Sequence, residues 1–157
     1  MVQKAYGIND QTVLTIGEFS ILWCHFENSF FQSYATPTKV KCWAAQLQPD
    51  DQLQCLYLSL RSAAVEYLKC SSEIINQEII SKRIYSNAHQ GTPEEIETIL
   101  DFLTNEKDDR NWVGCMLYIQ RIRNNLFHGL KDIYSLNAQN EMFVSINQIL
   151  HYILNKE

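Results

Sequence analysis

Large apolar side chains recur three and four positions apart along most of this chain, and this spacing restricts the fold more than any other feature. Near the N-terminus the separations are 3, 4, 3 and 4, at Ile16, Phe19, Trp23, Phe26 and Phe30. An α-helix repeats a face every 3.6 residues, whereas a strand alternates every two. The spacing therefore predicts a helix with one side in a core. Similar stripes follow over residues 53–67, 75–84, 96–103, 112–126 and 142–153.

The number of stripes and the chain length together predict the fold class. Only 5 glycines and 3 prolines occur in 157 residues, which favours long regular elements over many turns. A chain of this length can bury one core of ordinary size. We therefore expect an all-α, up-and-down bundle of five or six helices that forms a single domain over residues 1–157.

Helix starts are predicted from residues that can satisfy free backbone N–H groups. Thr15 and Glu18 have the spacing of a capping box, and so do Thr92 and Glu95, with Pro93 at the first helical position. Two further helices are expected to begin at acidic caps. The candidates are Asp50 or Asp51 for one helix and Asp108 or Asp109 for the other.

The segments between the stripes have less definite predictions. Residues 1–11 are polar and are expected to form a flexible arm. Residues 34–49 lie between prolines and are expected to be a loop, part of which forms a short helix. Residues 50–85 fit either one bent helix or two helices, and the sequence does not choose between them.

Charge is unevenly distributed along the chain. The net charge of −5 excludes a generally basic, nucleic-acid-binding surface, so any contact with nucleic acid needs a local patch. Residues 110–131 contain three arginines and one lysine without an acidic residue, whereas residues 94–109 contain seven acids and a single lysine. Acids at the start of one helix and bases at the end of another would produce the same distribution.

The five cysteines do not form a recognisable metal or disulfide pattern. They are odd in number, well separated and without a CxxC pair. We expect reduced, buried thiols in a cytosolic protein. The most apolar segment, residues 13–26, carries Glu18 and His25 and is too short to span a bilayer, so no membrane association is expected.

The densest group of chemically active side chains is the run RIRNNLFHG at residues 121–129. A guanidinium offers a fixed positive charge for phosphate, and an imidazole exchanges protons near neutral pH. For cleavage of RNA, His128 could transfer protons, Arg123 could stabilise the charge of the transition state and Asn124 could orient the phosphate or the imidazole. No carboxylate cluster accompanies them, which disfavours a two-metal nuclease. Arg and His at a helix end, followed by Gly129, also suit simple capping of the last turn.

Helical geometry adds a condition to the catalytic interpretation. Asn124 and His128 are four residues apart and share a face, whereas Arg123 and His128 are five apart and point about 140° from each other. Convergence of these two side chains requires a loosened last turn or a second copy of the helix. A homodimer interface would supply that copy.

Residues 123–128 resemble the R-x(4–6)-H motif of the HEPN domain superfamily, in which a polar residue commonly follows the arginine, as Asn124 does here. The Trp-x-x-Phe-Glu pattern at residues 23–27 is similar to first-helix sequences of some members. The resemblance implies a dimeric helical bundle and a metal-independent endoribonuclease without cofactor, often a toxin or defence effector. It also implies that Arg123 and His128 are catalytic, with Asn124 in support.

Other residues are assigned to the same site as expectations. Arg121 and Lys131 would bind RNA phosphates, and the pocket would be lined by Asn125, Glu27 and Tyr118. An antitoxin or companion defence protein is an expected partner. However, some members paired with a nucleotidyltransferase antitoxin carry tyrosine two residues after the histidine, where this chain has Leu130.

Two other functions remain open at this point. In the first, the chain is a non-catalytic HEPN-like module that binds RNA or nucleotides, or assembles with other proteins, and the basic side chains only bind phosphate. In the second, the motif helix is the seam of a purely structural dimer, with Arg123 and His128 buried in hydrogen bonds.

Overall fold

A computed structural model of the protein describes residues 7–69, 74–85, 91–127 and 135–156. These residues form seven α-helices and one turn of 3-10 helix, and contain no strand, which confirms the all-α class. The helices are α1 (Asp10–Phe30), α2 (Pro37–Ala45), α3 (Asp51–Lys69), α4 (Gln77–Arg83), α5 (Pro93–Thr104), α6 (Trp112–Phe127) and α7 (Asn140–Asn155), and the 3-10 turn is Asn137–Gln139.

The described residues contain one helix more than the expected five or six. Of the two alternatives left open for residues 50–85, the structure has two separate helices, α3 and α4. The short helix expected within residues 34–49 is α2, and it begins where the Thr36 hydroxyl accepts a hydrogen bond from the Lys39 N–H at 3.3 Å. Pro37 occupies the first turn of α2, where its missing N–H costs nothing.

The first and last helices, α1 and α7, lie side by side and run in the same direction. Near their N-terminal ends, the Asn9 N–H donates to the Asn137 side chain at 2.9 Å. Farther along, the Asn147 amide donates to the Thr15 carbonyl at 3.0 Å. α7 also packs against α3, while α6 lies between α2 and α5, and α4 packs on α5. This arrangement fixes α6, the helix that carries the motif.

The apolar stripes predicted from the sequence face the core. On α1, Phe19, Trp23 and Phe26 are buried, and Phe26 makes an edge contact with Trp43 of α2 with the ring centres 5.0 Å apart. Burial of such rings removes large apolar areas from water and stabilises the fold. The helical period of the sequence was therefore sufficient to predict which side of α1 lies inside.

One charged side chain is part of this core. The Arg61 Nε donates to the Phe102 carbonyl at 2.7 Å, and one of its amino groups donates to the Tyr57 hydroxyl at 3.0 Å. Its guanidinium also lies over the Tyr57 ring, 5.0 Å from the centre. These contacts satisfy the buried donors, and they tie α3 to the end of α5. Burial raises the pKa of the Tyr57 phenol to about 12.

The two predicted capping boxes have different outcomes. The Thr92 hydroxyl accepts from the Glu95 N–H at 3.2 Å, so α5 begins where it was expected to begin. The prediction at Thr15 is wrong, because the cap of α1 is Asn9, six residues earlier, whose side chain accepts from the Thr12 N–H at 2.8 Å. The Thr15 hydroxyl instead donates to the Gln11 carbonyl within the helix.

Of the two remaining predicted helix starts, one is confirmed and one is wrong. Asp50 caps α3 and accepts from the Leu53 N–H at 2.9 Å, as expected. At α6 the cap is Asn111, whose side chain accepts from the Gly114 N–H at 2.8 Å, and not Asp108 or Asp109. Three residues within four positions can cap a helix there, Asp108, Asp109 and Asn111, and the prediction named the two that do not.

The N-terminal arm, expected over residues 1–11, ends before residue 10. Residues 10 and 11 belong to α1, and Ile8 is buried. The Gly7 carbonyl accepts from the Asn137 amide at 2.7 Å, which fastens this segment to the start of α7. Residues 1–6 of the predicted arm lie outside the described residues.

The expectation of buried thiols is wrong for most of the cysteines that the structure describes. Cys115 is buried, but Cys24, Cys42 and Cys55 are exposed, and none of these four forms a disulfide. Cys70 lies outside the described residues. Apolar neighbours in sequence do not place a residue inside when it falls on the outer face of its helix. None of the helices described here combines the length and the apolar character that crossing a membrane requires.

The outer face of α1 is unusually apolar for an exposed helix surface. Leu14 and Ile21 are 68% and 72% exposed and lie two turns apart. Gly17 lies between them, and a methyl group added there would meet no atom within 4 Å. A glycine inside a helix costs about 1 kcal/mol relative to alanine, and no contact among the described residues offsets this cost.

Candidate active site

The candidate site lies at the C-terminal end of α6, and the structure describes part of it. Arg121, Arg123, Asn124 and Asn125 are all helical and described, whereas His128 and Lys131 fall outside the described residues. The predicted pairing of Arg123 with His128 therefore stays a prediction. The geometry on the described side shows how the helix distributes its polar side chains.

Arg123 and Asn124 form one polar group on this helix. The Arg123 Nη1 donates to the Asn124 Oδ1 at 3.2 Å, and both side chains are half-buried. A guanidinium that gives one donor to a neighbouring amide has its plane oriented, and guanidinium donors match the oxygens of an oxyanion. The pair therefore has the chemistry to bind a phosphate in a defined orientation.

Asn125 belongs to a different environment, although it follows Asn124 directly. Its side chain is 4% exposed, and its amide nitrogen donates to the Ile84 carbonyl at 2.5 Å. Ile84 follows the last residue of α4, where helix carbonyls have no partner within the helix. Asn125 thus satisfies the end of α4, and this structural contact occupies the amide that was expected to line a pocket.

Arg121 shares this environment with Asn125, which is four residues away on the same face. Its guanidinium lies over the Tyr85 ring, 4.6 Å from the centre. It also donates to the Asn125 Oδ1 at 3.4 Å and to the Ile84 carbonyl at 3.5 Å. Arg123 is two positions after Arg121, which corresponds to a rotation of about 200° around the helix. The two guanidiniums therefore leave α6 on opposite sides.

Burial governs the electrostatics of this second environment. It lowers the pKa of the Arg121 guanidinium and raises the pKa of the Tyr85 phenol far above its ordinary value, with a smaller upward effect of the Glu95 carboxylate on Tyr85. Glu95 also lies 3.9 Å from the Lys41 ammonium. The phenol therefore stays neutral at physiological pH, and the Arg121 cation is held by ring and carbonyl contacts.

Glu27 and Gln120 meet at the segment between α1 and α2. The Glu27 carboxylate accepts from the Ala35 N–H at 3.1 Å, while the buried Gln120 amide donates to the Ala35 carbonyl. Glu27 is one of the residues expected to line the pocket, and the structure places it and Gln120 at the same residue of this segment. Their contact ties the loop at residues 31–36 to the face of α6 that leads to Asn124.

Tyr118 lies away from this face. It is fully buried, and its hydroxyl donates to the Met142 sulfur of α7 at 2.8 Å. Gln120 and Tyr118 are about 200° apart around α6, so the tyrosine points into the core while Gln120 points to the loop. The structure therefore places Tyr118 among the residues that hold α6 in the bundle.

Two features near the site were missed from the sequence. Gly91 leaves room for the Tyr85 ring, because a methyl group on Gly91 would lie 2.3 Å from a ring carbon. Tyr34, next to Ala35, is 79% exposed. No spacing pattern in the sequence predicts the role of either residue. For Tyr34, the prolines near this loop were the one signal that it lies outside a long helix.

Comparisons with family models, with curated proteins and with solved structures find no match for this chain. Within the described ranges, no group of three or more His, Cys, Asp or Glu side chains is arranged to hold a metal ion.

Proposed function

We propose that this chain is a metal-independent endoribonuclease with a HEPN-like fold, and that it works as a homodimer whose site contains Arg123, Asn124 and His128. The observation that supports this is the hydrogen bond between two side chains of the motif on α6. The Arg123 guanidinium leaves the helix about 200° from Arg121 and donates to the Asn124 amide, and both side chains are half-buried. Arg121 and Asn125, in contrast, contact the end of α4.

The proposed reaction is an internal transfer at the phosphodiester. The 2′-oxygen attacks phosphorus as a base removes its proton, the bond to the 5′-oxygen breaks, and an acid protonates that oxygen. The products are a 2′,3′-cyclic phosphate and a 5′-hydroxyl. His128 exchanges the protons, the Arg123 guanidinium stabilises the charge on the phosphoryl oxygens, and Asn124 fixes the guanidinium. The sequence resemblance at residues 123–128 supplies His128.

The homodimer in this proposal needs a surface for the second copy. The exposed Leu14 and Ile21 on α1 are one apolar surface that supports self-association, because water contact with such side chains is unfavourable. Gly17 between them would let another helix approach closely. An antitoxin or companion protein, which the resemblance suggests, would compete for or cover such a surface.

The test is cleavage of defined RNA by purified protein in the presence of EDTA. We expect cleavage that leaves a 2′,3′-cyclic phosphate, and a loss of roughly 100- to 1000-fold in rate for Arg123→Ala and for His128→Ala. Asn124→Ala should reduce the rate less. Arg121→Met is the matched control, because it removes a guanidinium from the same helix but from the opposite side.

Two results would contradict the proposal. Undiminished cleavage in both the Arg123 and His128 variants would show that the nuclease activity comes from a different site or a contaminant. RNA binding that weakens steeply with salt but gives no product would favour the non-catalytic binding module instead. The net charge of −5 suits that second function when its main partner is a protein rather than free RNA.

A further inference from the structure

The loop between α1 and α2, at residues 31–36, presents an aromatic ring to solvent. Tyr34 is 79% exposed, more than any other large apolar side chain that the structure describes. Apolar residues that are this exposed are ordinary when they lie on frayed segments. This loop is different, because its backbone is held from several sides.

Hydrogen bonds hold the loop on both flanks of Tyr34. Ala35 is fixed through its N–H by Glu27 of α1 and through its carbonyl by Gln120 of α6. On the other flank, the Ser33 hydroxyl accepts from the Lys39 ammonium at 2.6 Å. Gln32, the residue after the C-cap of α1, adopts the left-handed backbone with φ of +54° that is common at this position. The exposed ring therefore stands on an anchored loop.

The direction of α2 places this loop near the motif end of α6. The start of α2 is fixed to Gln120 through Ala35, and its end shares a cleft of about 450 Å³ with Trp112 and Val113 at the start of α6. α2 therefore runs antiparallel to α6. Arg123 lies three residues beyond Gln120, about 4.5 Å farther along the helix axis, and Asn124 is on nearly the same face as Gln120.

We propose that Tyr34 stacks on a nucleobase next to the phosphate held by Arg123, so that the substrate is single-stranded RNA with unpaired bases. This inference rests on the proposed function. An aromatic ring accepts the face of any base that has left a duplex stack, and it offers nothing to a base still paired inside one. Lys39, exposed beside Tyr34 and bonded to Ser33, adds a cation that can contact the neighbouring phosphate.

The experiment measures binding of the full chain to a short 2′-O-methyl RNA, which lacks the attacking hydroxyl and cannot be cleaved. We expect Tyr34→Ala to weaken binding of the single strand by about 10-fold and Tyr34→Phe to bind within about twofold of wild type, because phenylalanine keeps the stacking face. A 2-aminopurine in the strand should be quenched by wild type and by Tyr34→Phe, and much less by Tyr34→Ala. Leu58→Ala, which changes an exposed apolar residue of α3, is the matched control.

The outcomes separate this inference from the proposed function. If Tyr34→Ala binds the single strand as wild type does, or if wild type binds no RNA, the stacking role is wrong. If binding depends on Tyr34 but no RNA is cleaved, the endoribonuclease proposal fails and the stacking role stands. If a duplex of the same sequence binds equally well and is equally sensitive to Tyr34→Ala, the assignment of unpaired RNA is overturned.

Discussion

Two pairs of Arg and Asn on α6, which are Arg121 with Asn125 and Arg123 with Asn124, lie in different environments. On one side, Arg121 and Asn125 hold the end of α4 through the Ile84 carbonyl and the Tyr85 ring. About 200° around the helix from Arg121, Arg123 donates to Asn124, and both of these side chains are half-buried. The residue type alone therefore does not indicate the environment of a side chain on α6, which depends on its angle around the helix and on the elements packed there.

The largest effect that would test this division is on catalysis. Arg123→Met should lower the RNA cleavage rate by at least about 100-fold, because the guanidinium is needed to stabilise the charge of the transition state. Arg121→Met should leave cleavage within a few fold and destabilise the fold by about 1 kcal/mol, through loss of the ring and carbonyl contacts. Paired rate measurements and thermal melts decide this, and an exchange of the two phenotypes would refute the division.

The next effect is on stability and compares the two asparagines. Asn125→Ala removes the buried donor to the Ile84 carbonyl and should cost about 2 kcal/mol, which is a drop of roughly 4–8 °C in melting temperature. The Asn124 side chain is half-buried, and Asn124→Ala should change the free energy of unfolding by at most about 0.5 kcal/mol. Urea unfolding of both variants measures the difference. Equal losses of stability would mean that the two asparagines contribute equally to the fold.

A third test changes the surroundings of Arg121 without a substitution in α6. Gly91→Ala places a methyl group 2.3 Å from the Tyr85 ring, which is already held between Arg121 and the core. We expect a loss of about 1.5 kcal/mol from the overpacking, with no change in RNA binding. Gly17→Ala, which meets open space in the middle of α1, is the control and should stabilise the chain or leave it unchanged. Reduced RNA binding by Gly91→Ala would show that the two sides are coupled.

The smallest effect concerns alkaline pH. Burial raises the folded-state pKa of Tyr85 above its unfolded value near 10, so the contribution of this residue is fully present below pH 10 and is lost as the pH rises beyond it. Tyr85→Phe removes this dependence. Its stability should fall less steeply than that of wild type above pH 10, by at most about 1.4 kcal/mol per pH unit. Urea unfolding at pH 9 and pH 11 measures it, with Tyr34→Phe as the control; identical slopes for Tyr85→Phe and wild type would contradict the raised pKa.

The sequence was sufficient to predict the all-α class and the buried side of the main helices, because their apolar stripes follow the helical period and face the core. The predictions of helix starts were less accurate where several neighbouring residues could cap the helix. The cap at Thr92 was correct because Pro93 reinforced it, whereas the box at Thr15 lay inside a longer helix that Asn9 starts. The choice among Asp108, Asp109 and Asn111 depended on which side chain can reach the Gly114 N–H.

The candidate site was predictable only in part. Helical phase shows from the sequence that Arg121 and Asn125 share a face, but it does not say which face α4 covers. That depends on contacts between residues about 40 apart in the chain, such as Asn125 with Ile84. Likewise, Gln120 and Glu27 are bound to Ala35 only because α2 folds back along α6. Tertiary contacts of this kind leave no local pattern.

The parallel pairing of α1 with α7 has a consequence for folding during synthesis. The bond between the Asn147 amide and the Thr15 carbonyl joins residues 132 apart in the chain. The aromatic side of α1, which includes Phe19 packed 5.7 Å from Phe143, thus leaves the ribosome long before the helix that covers it. Closure of such distant contacts is slow, so α1 has to wait in a partly assembled chain, where its apolar surface is a target for chaperones.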